Sequence, residues 1–248
     1  MRSLIDRYGW PPAEPTGEED EYPPHLMSFM RNVSDVERLM EIHSEVTGPR
    51  VGRRHNVDVL NRSAIVLVVA CWEAVVEDLA SEAFDYLLVH ATAPSAFSKK
   101  VLALAATRFL DEKDPSRLWS LAGDGWRGAL EDHRTLVLDR YVGRLHTPKP
   151  KQVDELFLNL IGLTRISSAW EWQKSKPSGA RSRLDRLATL RGAIAHRANV
   201  GPSVRKKQVV DAVGLVVRLA VASSRRVAEH IHIRGEMFPW ATYEFRRQ

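Results

Sequence analysis

One uninterrupted segment, residues 56–93, constrains the fold more than any other feature of the chain. It contains no glycine or proline, and Pro94 follows it directly. Since glycine and proline are the residues that end helices, the segment is predicted to form one long helix. Between Ala64 and Leu79 this helix is apolar on almost every side, which is typical of a helix at the centre of a core. The longest apolar run, residues 64–72, is much shorter than a membrane span of about 20 residues.

The remaining chain predicts further helices and no strands. Ser34 and Glu37 form a capping-box pattern at the start of one helix, and Ser203 is expected to cap the last. A turn is expected at residues 176–179, and glycines limit residues 114–150 to short helices and loops. Helices are predicted over residues 34–47, 56–93, 95–110, 151–163, 166–174, 181–198 and 203–233. The predicted fold class is all-α, a helical bundle around a long core helix.

The composition divides the chain into three parts. Residues 1–33 are predicted to be a flexible leader, because residues 9–24 hold five of the 13 prolines and an acidic run. Residues 34–233 are predicted to form one helical domain, and residues 234–248 a basic tail. The single cysteine, Cys71, suits a reducing compartment, and no apolar signal segment is present at the N-terminus. We therefore expect a cytoplasmic protein without a membrane segment.

The net charge of +5 favours an anionic partner. The basic clusters at 205–207, 225–226 and 246–247 are either solvated helix faces or part of a surface for such a partner. No histidine, cysteine or carboxylate pattern has the spacing of metal ligands, and no glycine motif is typical of a phosphate cradle. We therefore expect neither a metal nor a cofactor.

The helix predicted over residues 181–198 carries an arginine in the middle of its apolar stripe. Arg191 lies at about −20° from Leu184 on an ideal helix, which is the centre of the stripe. A guanidinium cannot lose its proton, and its burial is costly without a partner. Either a carboxylate meets Arg191 or a site opens there. His196 follows five residues later, and small residues between them would let another chain or a ligand approach: Gly192, Ala193 and Ala195.

The long core helix carries carboxylates within its apolar part. Glu73 lies inside that part, Glu77 follows one turn later, and Arg62 falls on the same face. We expect Glu73 to form an ion pair with Arg191 or with Arg62. The alternative is that Glu73 reaches a wet edge of the bundle or only supports its packing.

Two segments carry a resemblance to a known family. One is Asn61-Arg62-Ser63-Ala64-Ile65-Val66-Leu67 with its continuation through residues 71–79, and the other is residues 187–197 with their Arg-x4-His spacing. At these segments the chain resembles the HEPN superfamily, and more narrowly its RiboL-PSP-HEPN-like members. The resemblance implies an all-α and usually dimeric protein. Many members are metal-independent endoribonucleases, often in toxin–antitoxin or antiphage systems, and others only bind RNA or nucleotides.

The resemblance places the catalytic arginine and histidine of the family at Arg191 and His196. An imidazole can move the proton of a 2′-hydroxyl, and a guanidinium matches phosphate oxygens, so RNA cleavage would leave a 2′,3′-cyclic phosphate. Family members commonly carry asparagine directly after the arginine, where this chain has Gly192. Supporting roles are expected for Glu73, Glu77 and Arg62. RNA contacts are expected from Arg197, Arg205, Lys206 and Lys207.

Helical spacing sets a condition on this chemistry. Five residues turn a helix by about 500°, so Arg191 and His196 point about 140° apart. We therefore expect a two-fold homodimer with a site composed from both subunits. An antitoxin or immunity partner is a further expectation from the resemblance.

Two other readings stay open. The chain could be a non-catalytic HEPN-like module that binds RNA, a nucleotide or a partner protein, or a helical bundle with no nucleic-acid role. Trp170 and Trp172 are the best candidates for base stacking, since they cannot both face the core. His230 and His232 are expected on the surface of the last helix.

Overall fold

The computed structural model describes residues 22–47, 58–110, 114–141, 148–173, 175–196, 203–235 and 238–240. Within these ranges lie seven α-helices: α1 Pro24–Thr47, α2 Asp58–His90, α3 Lys99–Ala106, α4 Gly125–Tyr141, α5 Pro150–Leu160, α6 Pro177–His196 and α7 Lys206–Gly235. Short 3-10 segments occur at Pro94–Ala96, Thr107–Phe109, Pro115–Leu121 and Ile166–Ala169. The described residues form no strand beyond one isolated bridge between Trp172 and Ser175. The predicted all-α class is confirmed.

Helix α2 is the centre of the bundle. It packs along α1 on one side and α7 on another, and it also contacts α4, α5 and α6. Its Trp72 is fully buried, donates from Nε1 to the Pro148 carbonyl at 3.0 Å, and meets Trp170 edge to face at 5.8 Å. The long core helix predicted over residues 56–93 is therefore present, with observed bounds Asp58–His90.

By length and composition alone, α2 could cross a membrane, and it is the one described helix of this kind. Half of its most apolar window is buried inside the protein, against the neighbouring helices. The core helix of a helical bundle has the same composition, so the hydropathy of α2 is accounted for by its place in the fold.

Side chains from other elements bind both ends of α2. At its C-terminal end, Arg127 of α4 donates to the carbonyls of Leu88 and Ala91, the latter at 2.6 Å. At its N-terminal end, the Asp58 carboxylate accepts from the Val204 N–H at 2.7 Å, and the Asn61 amide donates to the Val204 carbonyl at 2.8 Å. These bonds fix the segment before α7 against the start of α2.

The N-terminal boundary of the domain differs from the prediction. Helix α1 begins at Pro24, and its Leu26, Phe29 and Val33 are buried in the core. Ser34 lies inside this helix and donates to the Arg31 carbonyl at 2.6 Å, so it is not an N-cap. The predicted boundary between residues 33 and 34 is therefore wrong, and the rest of the predicted leader, residues 1–21, lies outside the described residues.

A buried histidine explains why the chain is ordered before residue 34. His25 is fully buried, contacts the Glu82 carboxylate at 2.5 Å and the Ser224 hydroxyl at 2.8 Å, and so joins α1 to α2 and α7. Trp240 packs edge-on against the same ring at 4.9 Å. The predicted tail thus also contributes to the fold, because α7 continues to Gly235 and Trp240 lies against α1.

The connection between α5 and α6 is the second departure. Residues 166–169 form a single 3-10 turn instead of the predicted helix over 166–174. The predicted turn at residues 176–179 is instead the beginning of α6, because Pro177 occupies its first position, where its missing N–H leaves no hydrogen bond unmade. Helix α5 ends earlier than predicted, at Leu160; Gly162 follows with φ of +73°, and the Leu163 N–H bonds the Phe157 carbonyl at 3.2 Å.

Two further boundaries were predicted wrongly. Helix α4 has 17 residues despite its glycines, where only short helices were expected. Helix α7 begins at Lys206 rather than at Ser203. Just before the helix, the Arg205 N–H donates to the Gln208 side chain at 2.8 Å. The Ser203 hydroxyl donates to the Asp58 carboxylate and so does not cap α7.

Candidate active site

Helix α6 presents one buried face to the bundle, and Arg191 lies on it. The face consists of Ala180, Leu184, Leu187, Ala188 and Ile194. Arg191 itself is half-buried, and its Nε is buried without a hydrogen-bond partner in the described part of the chain. A buried donor without an acceptor costs about 1–3 kcal/mol. Because the Nε is closed off from solvent, a ligand reaches this guanidinium through its two terminal nitrogens, which are not among the buried unpaired atoms.

The predicted ion pair of Glu73 is wrong in both of its forms. No ion pair joins Glu73 to Arg191 within the described ranges. Arg62 forms its ion pair with Asp58, one turn earlier in α2, at 3.1 Å. Arg62 and Glu73 are about 16 Å apart along the helix axis, which is too far for a direct contact. Glu73 is half-buried on α2, so its place matches the alternative of a carboxylate near the edge of the core.

Glu77, one turn beyond Glu73, is half-buried on the same helix. Burial raises the pKa of its carboxyl above the ordinary value, and the neighbouring Asp78 and Glu73 raise it further. This carboxyl therefore takes up a proton more readily than an exposed one. Its supporting role at the site stays a prediction.

His196 is exposed and is the last residue of α6. It lies about 7.5 Å along the helix axis from Arg191 and about 140° around it. The two side chains therefore leave one protomer in different directions, as the spacing predicted. One protomer does not present both groups to a single phosphate.

The surface beside Arg191 is open. A Cβ built at Gly192 meets no heavy atom within 4 Å, and Ala195 is exposed. None of the described residues fills the space beside Gly192, which would let another molecule come close to α6 there.

The opposite side of α6 lines a groove of 1170 Å³ that also includes the start of α5 and residues before the 3-10 turn. Its basic side chains are Lys149, Lys151, Arg165, Arg181 and Arg186. It also contains Asp185 and Asp154, and the latter accepts from the Ser167 N–H and hydroxyl, each at 2.8 Å. Thr189 lines this groove, and His196 lies seven residues later, within about 20° of the same direction. The groove thus runs along α6 towards His196.

Sequence reasoning missed these five basic residues. They come from three separate elements, and only the fold places them along one groove. The sequence contains one local signal, the abundance of arginine in residues 181–191, which could have indicated the part of the groove that α6 forms.

The predicted RNA-contacting residues lie at the start of α7. Arg205, Lys206 and Lys207 are all exposed. The Lys206 ammonium donates to the Ser44 hydroxyl at 2.7 Å, and the Lys207 ammonium binds Asp211 at 2.7 Å. Arg197 lies outside the described residues.

Two common kinds of catalytic centre find no support among the described residues. No group of three or more histidine, cysteine, aspartate or glutamate side chains among them could hold a metal ion. Burial raises the pKa of the Cys71 thiol to about 12, so this cysteine is not a nucleophile.

Comparison with protein-family models decides the family. The model of the RiboL-PSP-HEPN family matches residues 31–228, from within α1 to within α7, and this span includes Arg191 and His196. The chain belongs to the RiboL-PSP-HEPN family. The resemblance inferred from the core helix and from the Arg-x4-His segment is therefore confirmed. Searches of curated proteins and of solved structures find no significant match.

Proposed function

We propose that this RiboL-PSP-HEPN protein is a metal-independent endoribonuclease of the cytoplasm, with Arg191 and His196 as its catalytic residues. The observation that carries the proposal is the half-buried Arg191, whose Nε has no protein acceptor, on a helix that ends in an exposed histidine. The terminal nitrogens of this guanidinium can bind phosphate oxygens with two parallel hydrogen bonds. The same side chain stabilises the extra negative charge of the transition state.

The reaction uses the 2′-hydroxyl of the RNA itself. His196 takes the proton of this hydroxyl, and the oxygen forms a bond to the adjacent phosphorus. The bond from phosphorus to the 5′-oxygen of the next nucleotide breaks, and that oxygen takes a proton from water. The products are a 2′,3′-cyclic phosphate and a 5′-hydroxyl. DNA lacks the 2′-hydroxyl and is not cut.

The proposed site is composed from two subunits. Because Arg191 and His196 point about 140° apart on one helix, a single phosphate meets the arginine of one protomer and the histidine of the other. The open strip at Gly192 and Ala195 allows two copies of α6 to approach closely. The basic groove along α6 attracts the RNA backbone and directs it towards His196.

The test is an RNA cleavage assay in EDTA with the wild type, Arg191→Ala and His196→Ala. Two control variants change the same residue types elsewhere: Arg38→Ala on the exposed face of α1, and His90→Ala at the exposed end of α2. We expect cleavage by the wild type and both controls, 2′,3′-cyclic phosphate ends, and a loss of at least about a hundredfold in each site variant. Activity that survives in either site variant, or that requires a divalent metal, would contradict the proposal.

We further propose that the nuclease acts as a toxin or in antiphage defence, held inactive by an antitoxin or immunity partner. This role predicts growth arrest when the wild type is expressed, and relief by Arg191→Ala or His196→Ala. Arrest by both site variants would show that the toxicity does not come from RNA cleavage.

The second candidate function is a non-catalytic RNA-binding module. Gly192 favours it, because this position lacks the polar side chain that family members commonly carry after the arginine. This function predicts RNA binding that weakens steeply with salt, without any cleavage.

A further inference from the structure

A second cavity, of 460 Å³, lies between α6 and α7. Its floor is apolar and consists of Leu187, Ala212 and Leu215, which are all buried. Its walls carry Trp172 and two arginines, Arg183 and Arg218. An apolar cleft with a few polar groups that converge on it is the usual form of a small-ligand site.

The backbone that carries the tryptophan of this cavity is fixed. The backbone N–H of Trp172 bonds the Ser175 carbonyl at 3.2 Å, and the backbone N–H of Ser175 bonds the Trp172 carbonyl at 2.8 Å. The guanidinium carbons of Arg183 and Arg218 lie 5.3 Å and 6.0 Å from the centre of the indole ring. Arg183 also donates to the Ser175 hydroxyl, so its guanidinium is held beside the ring. Trp170, the other stacking candidate, is fully buried and donates to Ser223 at 2.9 Å.

These groups match the parts of a nucleotide. An indole ring and the guanidinium planes that lie over it can both stack on a nucleobase, and guanidinium groups also bind phosphate. Gln208 and Asp211 line the same cavity, and the Asp211 carboxylate can accept hydrogen bonds from the amino groups of a base edge. Lys207 binds Asp211 at 2.7 Å and partly balances its charge.

The cavity lies next to Arg191 on the same side of α6. Leu187 in its floor precedes Arg191 by one helical turn, which is about 6 Å along the axis and about 40° around it. A ligand in this cavity therefore lies beside the guanidinium that we assign to the reacting phosphate. By contrast, the basic groove lies on the other side of α6.

We propose that the Trp172 cavity binds one nucleotide of single-stranded RNA, adjacent to the phosphate at Arg191. This inference rests on the proposed ribonuclease function and adds a site that holds the base. Asp211 accepts hydrogen bonds from donors on the base edge, so this side chain contributes to holding the base.

The experiment measures binding of AMP, GMP, CMP and UMP to the full chain by calorimetry, and RNA cleavage kinetics in parallel. Trp172→Ala is expected to weaken nucleotide binding by at least about tenfold and to raise KM more than it lowers kcat. Trp172→Phe keeps a stacking ring and is expected to stay within about threefold of the wild type. Trp119→Ala is the matched control, since Trp119 is 81% exposed and lies outside the cavity.

Further variants separate the failure of this inference from the failure of the proposed function. Arg191→Ala is expected to lose cleavage and to keep nucleotide binding. Arg183→Gln tests the cavity without removing the ring, in case Trp172→Ala does not fold. If nucleotides do not bind, or bind equally well to Trp172→Ala and Arg183→Gln, the cavity inference is overturned while Arg191-dependent cleavage still supports the nuclease. If nucleotide binding needs Trp172 but the wild type cuts no RNA, the nuclease is overturned and with it the role of the cavity as a substrate site.

Discussion

Arg191 is the single residue on which the functional account depends. Its position in an apolar stripe could be predicted from helical spacing, because every third or fourth residue of an amphipathic helix faces the core. The identity of its partner could not, since Glu73 lies on another helix and its distance depends on how α2 and α6 pack. The structure leaves the buried Arg191 Nε unpaired among the described residues. An apolar side chain at this position would stabilise the fold more than a guanidinium with a buried, unpaired nitrogen.

This reasoning predicts opposite effects on stability and on activity for Arg191→Met. Methionine keeps the length of the side chain but removes the charge and the unpaired donor. We expect the free energy of unfolding to rise by about 1 kcal/mol, because a buried donor without an acceptor is removed. Urea denaturation measures this change, and RNA cleavage should be lost in the same variant. A clear fall in stability would mean that the guanidinium stabilises the fold rather than a ligand.

His230 shows where residue-scale reasoning from sequence is wrong. It was expected on the surface but is buried; its Nε2 bonds the Ile161 carbonyl at 3.0 Å, and Arg234 contacts its Nδ1 at 2.9 Å. The Ile161 carbonyl comes from a segment distant in the sequence, for which the sequence offers no signal, whereas Arg234 lies one turn later on the same helix. Burial is the main cause that lowers the pKa of His230 to about 4; the hydrogen bond to Ile161 opposes it, and the charges of Arg234 and Arg226 add to it.

The lowered pKa predicts how this residue changes stability with pH. Between about pH 6.5 and pH 4 the unfolded chain takes up a proton at His230 that the folded chain does not. The contribution of His230 is therefore present above pH 6.5 and is lost as the pH falls towards about 4. His230→Gln can keep both hydrogen bonds without titrating. Its free energy of unfolding should fall less than that of the wild type over this range; equal slopes would contradict the assignment.

At the scale of helices, the sequence predicts that a long helix is present better than it predicts the residues at which the helix begins and ends. Helix α2 was predicted nearly to its observed bounds, because no glycine or proline occurs within it. The start of α1 was missed, because the anchor of His25 on α2 and α7 is a tertiary contact. The helix predicted over residues 166–174 is not formed, and the reason is again tertiary contacts. Packing of Trp170 and the bridge at Trp172 outweigh the local helical preference.

Helix α6 carries a test of its own at Gly192. A glycine inside a helix costs about 0.5–1 kcal/mol relative to alanine, and a Cβ at this position meets no heavy atom within 4 Å. In the isolated protomer, Gly192→Ala should therefore raise the free energy of unfolding by about that amount. Gly128→Ala on α4, where a Cβ is also unobstructed, is the matched control. Stabilisation at Gly128 but not at Gly192 would indicate that a neighbouring molecule covers Gly192.

At the scale of the whole molecule, the family and the all-α class could be read from two segments of the chain. The grooves on the two sides of α6 could not, because each collects side chains from several separate segments of the chain. The composite site is a property of two molecules. We infer the composite site from the angle between Arg191 and His196 on one helix. It does not require these two side chains to contact each other within one protomer.

The most direct measurement is complementation between Arg191→Ala and His196→Ala, each inactive alone, after co-refolding in equal amounts. In a mixed two-fold dimer one composite site carries both substitutions and the other carries neither. Random mixing should therefore restore about a quarter of wild-type RNA cleavage. The control mixture of Arg191→Ala with the double variant, which contains no intact site, should stay inactive. If the two single variants form mixed dimers and cleavage is not restored, Arg191 and His196 do not act across subunits, and the account is contradicted.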